Sequence, residues 1–261
     1  MKACVAVAMH KPAPLPADPL YLPLWVGAAQ SEQTGMEGCR RDDSGESISL
    51  RNPRWCELTG LYWLWRNVDA DALGLCHYRR YLAGRHGGRG LERVLTQAEA
   101  ETLLQEYEVL LPKKRHYWVE TNRSQYDHAH HASDLDAVHA LLAEAEDRRY
   151  LEAFDRVMAR RSGHRFNLFV MRQDCFRRYC GWLFPLLFQL EQRLDLSGYS
   201  AYDQRVFGFV AERLLDVWLT VQRPRCRELP LVYTESQHWP RKILRFLGKW
   251  LRGVRRDAAI Q

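Results

Sequence analysis

The stretch that decides the fold is "ADALGLCHYRRYL", residues 70–82. Leu73, Leu75 and Cys76 around Gly74 make a short apolar run, the pattern of a strand buried on both faces of a parallel sheet. The run passes into His77, Tyr78, Arg79, Arg80 and Tyr81 with no turn residue between. In open α/β sheets ligands bind outside the carboxyl ends of the strands, so a central strand here delivers this cationic, aromatic cluster to that edge. Arginine presents a planar fork of donors that matches phosphate oxygens, and two adjacent arginines with a histidine suit a diphosphate. The same residues also suit a plain strand end whose arginines pair with acids elsewhere, and the short motif leaves both readings open.

Outward from this strand, the chain alternates strand and helix patterns. Ala3 to Met9 reads as a first buried strand, followed by a proline-rich connection over 11–23. Residues 31–51 are polar, rich in glycine and serine and without period, which predicts a long mobile loop. Asn52 and Pro53 suit a helix N-cap and first position, and Trp55, Leu58, Leu61, Tyr62 and Trp65 form the apolar face of one helix. Further helices are predicted over 96–107, 133–147 and 149–161, and strands over 108–112 and 166–171. A helical region over 173–194 should bend or break at Pro185, and 201–220 is strongly amphipathic. This alternation predicts an α/β domain with a mainly parallel sheet flanked by helices.

Composition narrows the function classes. At 46% hydrophobic and 11% aromatic, the 261 residues can fill one large core or two small ones. The apolar run at Ala3 to Met9 is too short for a secretory signal, and the interrupted run over 181–190 is far short of a span, so a cytoplasmic location is expected. The seven scattered cysteines contain no C-x-x-C pair and read as reduced, mostly buried thiols rather than a disulfide framework or zinc site. The net charge of +6 is localised: from Trp239 onward there are seven basic residues and one acid, so the preceding residues are neutral overall. A neutral body lacks the broad basic face of a nucleic-acid binder, and no nucleic-acid partner is expected.

Four segments, "NPRWCELTGLYWLWRN" (52–67), "LGLCHYRRYL" (73–82), "FNLFVM" (166–171) and "RVFGFVAERLLDVWL" (205–219), resemble in order and wording a bacterial family labelled as an uncharacterised domain, DUF4422. That family is found in capsule, exopolysaccharide and O-antigen (lipopolysaccharide) assembly and looks like glycosyltransferases of the GT-A type. The resemblance covers nearly the whole chain to about residue 235. It implies a single Rossmann-like GT-A domain over 1–235 that transfers a sugar from a UDP-sugar donor to a lipid-linked glycan acceptor. Galactofuranose from UDP-galactofuranose is the best-defined activity of such proteins.

A second resemblance, to GT-A hexosyltransferases with a Phe-Asn strand and a later Asp-Gln at a helix start, falls on Phe166-Asn167 and Asp203-Gln204. It implies that Asn167 and Gln204 approach a sugar and that Asp203 is the carboxylate near the anomeric carbon. An inverting transfer needs one base for the acceptor hydroxyl proton. Asp203 also reads as a helix N-terminal acid, and Glu212 is the alternative base or a structural partner of Arg213. His10 and Lys11, just beyond the first strand, are expected at the nucleotide pocket or simply in solvent. With His77, Tyr78, Arg79 and Arg80 they form the expected donor-binding set.

Most GT-A enzymes hold a divalent metal on Asp-x-Asp at the end of a central strand, where this chain has His77-Tyr78-Arg79. Cations there disfavour a metal and suit stabilisation of a departing UDP. A literal Asp-x-Asp occurs at Asp134 and Asp136, after His128, His130 and His131, and such ligands suit manganese or magnesium. It follows a polar segment rather than a strand and reads equally as a helix start, so no metal is assigned. In the tail, 236–261, Trp239, Phe246 and Trp250 recur at helical spacing among Arg241, Lys242, Arg245 and Lys249. A basic amphipathic helix of this kind reads as a peripheral anchor on the anionic inner face of the cytoplasmic membrane, or as a helix packed on the domain. The competing functions are a non-catalytic, membrane-bound partner of a polysaccharide assembly complex and a nucleic-acid-binding protein, the latter suggested by the pI of 9.0 and the mixed aromatic and basic residues at 77–81 and 113–118 but opposed by the neutral body.

Overall fold

The computed structural model describes residues 1–31 and 36–235. Its strands are β1 (Ala3–Met9), β2 (Tyr21–Trp25), β3 (Arg40–Arg41), β4 (Ala72–His77), β5 (Arg80–Leu82), β6 (Val109–Pro112), β7 (Arg115–His116), β8 (Ser162–Gly163), β9 (Phe169–Arg172), β10 (Cys226–Leu229) and β11 (Leu231–Tyr233). The helices are α1 (Asn52–Trp55), α2 (Leu58–Asn67), α3 (Gln97–Glu106), α4 (Asn122–Ala129), α5 (Ala132–Glu144), α6 (Arg149–Ala159), α7 (Gln173–Arg193) and α8 (Val206–Gln222).

The main sheet runs β10-β6-β9-β4-β1-β2-β3. β4, β1, β2 and β3 are parallel, as are β6 and β10; β9 runs antiparallel between β6 and β4, and β5 pairs antiparallel with the end of β4 and with β11. The mainly parallel sheet expected from the sequence is present. Alternation along the strands divides the core into two layers. Ala6, Ala8, Leu73, Leu75, Phe169 and Met171 face one layer, packed with the larger helices, while Val5, Val7, Met9, Ala72, Cys76 and Val170 face the layer beneath α3. Gly74 permits the close approach of β9: a Cβ there would lie 2.5 Å from the Phe169 carbonyl oxygen.

Several local expectations are corrected. The single helix predicted from Asn52 is two, because Cys56 adopts φ 51 and turns the chain between α1 and α2. The apolar spacing ran through this break because Trp55 and Leu58 are both fully buried on either side of it. The strand expected from Phe166 begins only at Phe169, since Phe166 and Asn167 hold left-handed backbone with φ 78 and 47. α7 does not break at Pro185 but runs on through it. Pro185 and Gly181, whose carbonyl loses its partner, both lie on the exposed side of the helix. Of the thiols, only Cys76, Cys175 and Cys180 are buried.

The predicted mobile loop is anchored over its described part. β3 pairs with β2, and the wholly buried Asp42 accepts the Gly27 and Ala28 amides at 3.0 Å each, the Thr59 hydroxyl at 2.7 Å and the Ser49 hydroxyl. One carboxylate thus ties the turn after β2, this loop and α2 together. Asp42→Ala leaves these buried donors without an acceptor and is expected to lower unfolding stability by about 4 kcal/mol. Urea melts measure it, and a loss below about 1 kcal/mol contradicts the assignment.

Candidate active site

The carboxyl ends of β1, β2 and β4 open into a cavity of about 600 Å³. It is lined by Ala8 near the end of β1 and His10 just after it, Val26 after β2, and His77, Arg79 and Arg80 at the end of β4 and start of β5. The start of α1, with Cys56 and Glu57, supplies another part of the lining. His130, the Arg165-Phe166 turn, Tyr202, Arg205 and the α8 residues Gly208, Phe209, Glu212 and Arg213 complete it.

Local structure aims these groups. The buried Trp55 indole stacks on Phe207 with centroids 5.0 Å apart and donates to Glu191 at 2.9 Å, pinning α1 against α8. The positive φ at Cys56 then directs Glu57 toward the cavity. Among the described residues the non-glycine positions with left-handed φ are Cys56, Phe166, Asn167 and Arg223, so three of the four stand at this site. Such backbone costs about 1–3 kcal/mol per residue and concentrates where function requires it.

The electrostatics favour an anion. Arg80 lies with its guanidinium 4.0 Å over the Phe166 ring, and burial lowers its pKa while Glu212 and Glu57 oppose that shift. Among the described residues no carboxylate reaches ion-pair distance of Arg80. Arg79 stacks 4.9 Å over Tyr78 and its Nε lies 3.2 Å from Glu235. Burial, then the Arg80 and Arg79 charges, pushes the His77 pKa down to about 3, and burial followed by Arg79 lowers that of His10. Both imidazoles are therefore neutral near pH 7. Burial drives the Cys56 thiol up to about 11, although Arg205 Nε donates to its sulfur at 3.1 Å.

Two carboxylates share the cavity. Glu57, partly exposed as a residue, has its carboxyl end enclosed by protein: Oε1 accepts Asn167 Nδ2 at 2.7 Å, and burial raises its pKa. Glu212 accepts Arg213 Nη1 at 3.0 Å and lies 3.4 Å from Arg165 Nε. Arg165 in turn donates from Nη1 to the Tyr117 hydroxyl at 2.6 Å.

Of the sequence-predicted residues, His10, His77, Arg79, Arg80 and Glu212 line the cavity together. Tyr78 is buried beside it, its hydroxyl 3.2 Å from His10 Nε2, and Lys11 is turned to Glu235 at 3.7 Å. Asn167 is buried one hydrogen bond away, on Glu57 and on the Gly208 carbonyl at 3.1 Å, with Oδ1 unpartnered. Asp203 is not in the lining. It accepts the Ser200 hydroxyl at 2.6 Å and lies 3.8 Å from His130 and 3.7 Å from His131, while Gln204 donates to the Tyr199 carbonyl.

Asp134 and Asp136 do not converge. Asp134 is buried in α5 and accepts the Tyr126 and Tyr199 hydroxyls at 2.8 and 2.6 Å, whereas Asp136 is exposed and pairs with Arg123 at 2.8 Å. His128 pairs with Glu120. Outside the cavity, Glu108, Asp174 and Cys175 lie close together, but Arg225 and Arg178 hold the two acids.

Sequence reading missed Glu57, Arg165, Arg205 and Arg213, and named His130 only as a companion of the Asp134–Asp136 pair, whereas it lines the cavity. A signal existed for part of this set: Arg205, Gly208, Phe209, Glu212 and Arg213 recur at i, i+3, i+4, i+7 and i+8, one face of a helix. The tail residues Trp239 to Trp250 lie outside the described residues. Among the described residues no helix is long and apolar enough to cross a membrane.

A sequence-family model described as a domain of unknown function (DUF4422) matches residues 4–223. The solved apo structure of the bifunctional glycosyltransferase WbbM superposes with a TM-score of 0.82 at 28% identity, over 90% of this chain and 46% of that one. The chain thus spans about half the length of that protein. This likeness and the sheet order together establish the GT-A-like α/β class expected from the sequence. No curated protein matches.

Proposed function

The chain belongs to the DUF4422 family, and from that premise we propose that it is a glycosyltransferase of polysaccharide synthesis that uses a nucleotide-diphosphate sugar. The likeness to WbbM supports the reaction class. The observation that carries the reading is the meeting, in one cavity at the carboxyl edge of the sheet, of Arg79, Arg80 and His77 with Glu57 and Glu212. UDP-galactofuranose is the proposed donor and a lipid-linked glycan of capsule, exopolysaccharide or O-antigen the proposed acceptor. The basic segment 236–261 is the proposed contact with the inner membrane face.

In this reading an acceptor hydroxyl oxygen bonds to the anomeric carbon as the bond from that carbon to the diphosphate oxygen breaks. The hydroxyl proton passes to a cavity carboxylate, and the electron pair leaves on UDP, whose growing charge the guanidinium groups meet. Glu57 is the stronger candidate for the base, because its raised pKa suits proton removal and Asn167 fixes its direction. Glu212, gripped by two arginines, positions them. Asp203 reaches the cavity only through His130.

A UDP-release screen of donor sugars over acceptor lipids, with manganese and with EDTA, tests this. Donor binding should also tighten as pH falls. His10 is neutral in the free protein, and a diphosphate beside it raises its pKa, so binding takes up a proton, whereas His77, pushed down to about 3, stays neutral. A UDP-sugar, whose two phosphates keep their charge over this range, is expected to bind about threefold more tightly at pH 6 than at pH 8. Absence of both binding and UDP release across the panel would refute the transferase reading.

A further inference from the structure

The connection leaving β6 carries the most exposed large apolar side chains among the described residues: Trp118 is 92% and Val119 80% exposed. They follow β7, which pairs antiparallel with β8, Arg115 opposite Gly163 and His116 opposite Ser162. The Tyr117 amide extends the ribbon by donating to the Arg161 carbonyl at 2.7 Å. Lys113, Lys114 and Arg115 lead into this tip and Arg161 stands across the ribbon from it, all exposed; Arg160 is exposed too, with Nη1 donating to the Thr220 hydroxyl at 3.2 Å. The nearby acids are engaged: Glu120 pairs with His128 at 2.6 Å, and Glu228 lies 3.8 Å from Lys114 and 3.2 Å from His164.

We propose that residues 113–119, with Arg160 and Arg161, form a docking surface for an anionic phospholipid bilayer, separate from the segment 236–261. Water gives no reason to hold an indole and a branched aliphatic side by side at a ribbon tip. At a bilayer surface the indole sits at headgroup level, the valine enters the acyl boundary, and the surrounding cations meet lipid phosphates. A nucleic acid would use the same cations and the indole face but gains nothing from Val119.

The surface is tied to the cavity. Tyr117, only 8% exposed beneath the tip, accepts from Arg165, which lines the cavity. Docking through this ribbon therefore holds the cavity at a fixed distance from the lipid phosphates. The inference stands on the ribbon's own geometry, so it survives or fails apart from the transferase reading.

The test uses the full chain with sedimenting vesicles of phosphatidylglycerol and phosphatidylcholine in equal parts, against phosphatidylcholine alone. The double variant Trp118→Ser, Val119→Ser is expected to partition about tenfold less onto the anionic vesicles. Lys113→Ala with Arg161→Ala should lose about fivefold per charge, on anionic vesicles only and less in high salt. Because the tail can also bind lipid, a second readout isolates the tip: brominated phosphatidylglycerol should quench wild type more than Trp118→Phe. Unchanged thermal melting establishes that each variant is folded. Partition within about twofold of wild type with equal quenching in Trp118→Phe overturns the proposal. Salt-sensitive oligonucleotide binding lost in these variants, with vesicle partition intact, overturns it in favour of nucleic acid.

Discussion

Arg80→Ala is expected to reduce kcat/KM for the donor about 300-fold without destabilising the fold. This guanidinium is set at the start of β5 by the His77–Arg80 pairing with β4 and the Tyr233–Arg80 pairing with β11, and it lies over the Phe166 ring. Its charge is partly desolvated with no carboxylate at contact distance among the described residues, an arrangement that costs the free protein and is repaid when an anion binds. The diphosphate is charged in the bound donor and more so as it departs, so both KM and kcat should suffer. Arg80→Lys keeps the charge but loses the fork, and should recover only part of the rate. Arg79→Ala should lose less, since Glu235 already holds that residue. Initial rates of UDP release and thermal melts decide the matter: kcat/KM within about threefold of wild type would remove Arg80 from the site.

Glu57→Gln should lower kcat about a thousandfold while leaving donor KM nearly unchanged, the signature of a lost proton acceptor. Glutamine keeps the shape and can still bond Asn167, so what disappears is basicity. The pH profile adds a second reading. The reaction needs Glu57 ionised, so kcat falls as pH drops through its pKa, and because burial raises that pKa the acid limb should lie above the ordinary carboxylate value of 4.5. The Asn167 hydrogen bond favours the ionised form, so Asn167→Ala should move the limb higher still. Glu212→Gln frees Arg213 and Arg165 and should raise KM more than it lowers kcat. If Glu212→Gln instead abolishes turnover while Glu57→Gln is active, the two roles are reversed.

The strand and its cationic end were legible because a continuous apolar run followed by arginines is a local pattern. Placing Arg79, Arg80 and His77 at the carboxyl edge needed only the parallel-sheet rule. Glu57 was invisible for the opposite reason: its aim depends on the left-handed turn at Cys56, and that turn exists because Trp55 is held by Phe207, far along the chain. Asp203 looked catalytic from its likeness to the Asp-Gln of GT-A hexosyltransferases, while its place before a helix already suited a structural acid. A carboxylate at such a position is as easily taken by a neighbouring hydroxyl, and here Ser200 takes it. The helix α4 was missed because its histidines and polar residues lack an apolar stripe, although Thr121 caps it by accepting the Ser124 amide at 3.1 Å.

The order of assembly follows from where β11 comes in the chain. Every pairing among β1, β2, β3, β4, β6 and β9 joins segments that precede residue 173, but the rim beside Arg79 and Arg80 is finished only by Leu231–Tyr233 and by Thr234, which bonds the Tyr78 and Arg79 carbonyls at 3.0 and 3.2 Å. During vectorial synthesis the sheet centre can therefore close on the ribosome while the rim still lacks its outer strand. A chain halted near residue 222 lacks Leu229 and Val232 of the second core layer as well as the outer strand beside Arg79 and Arg80, so the edge that lines the cavity is the last part of the sheet to be completed.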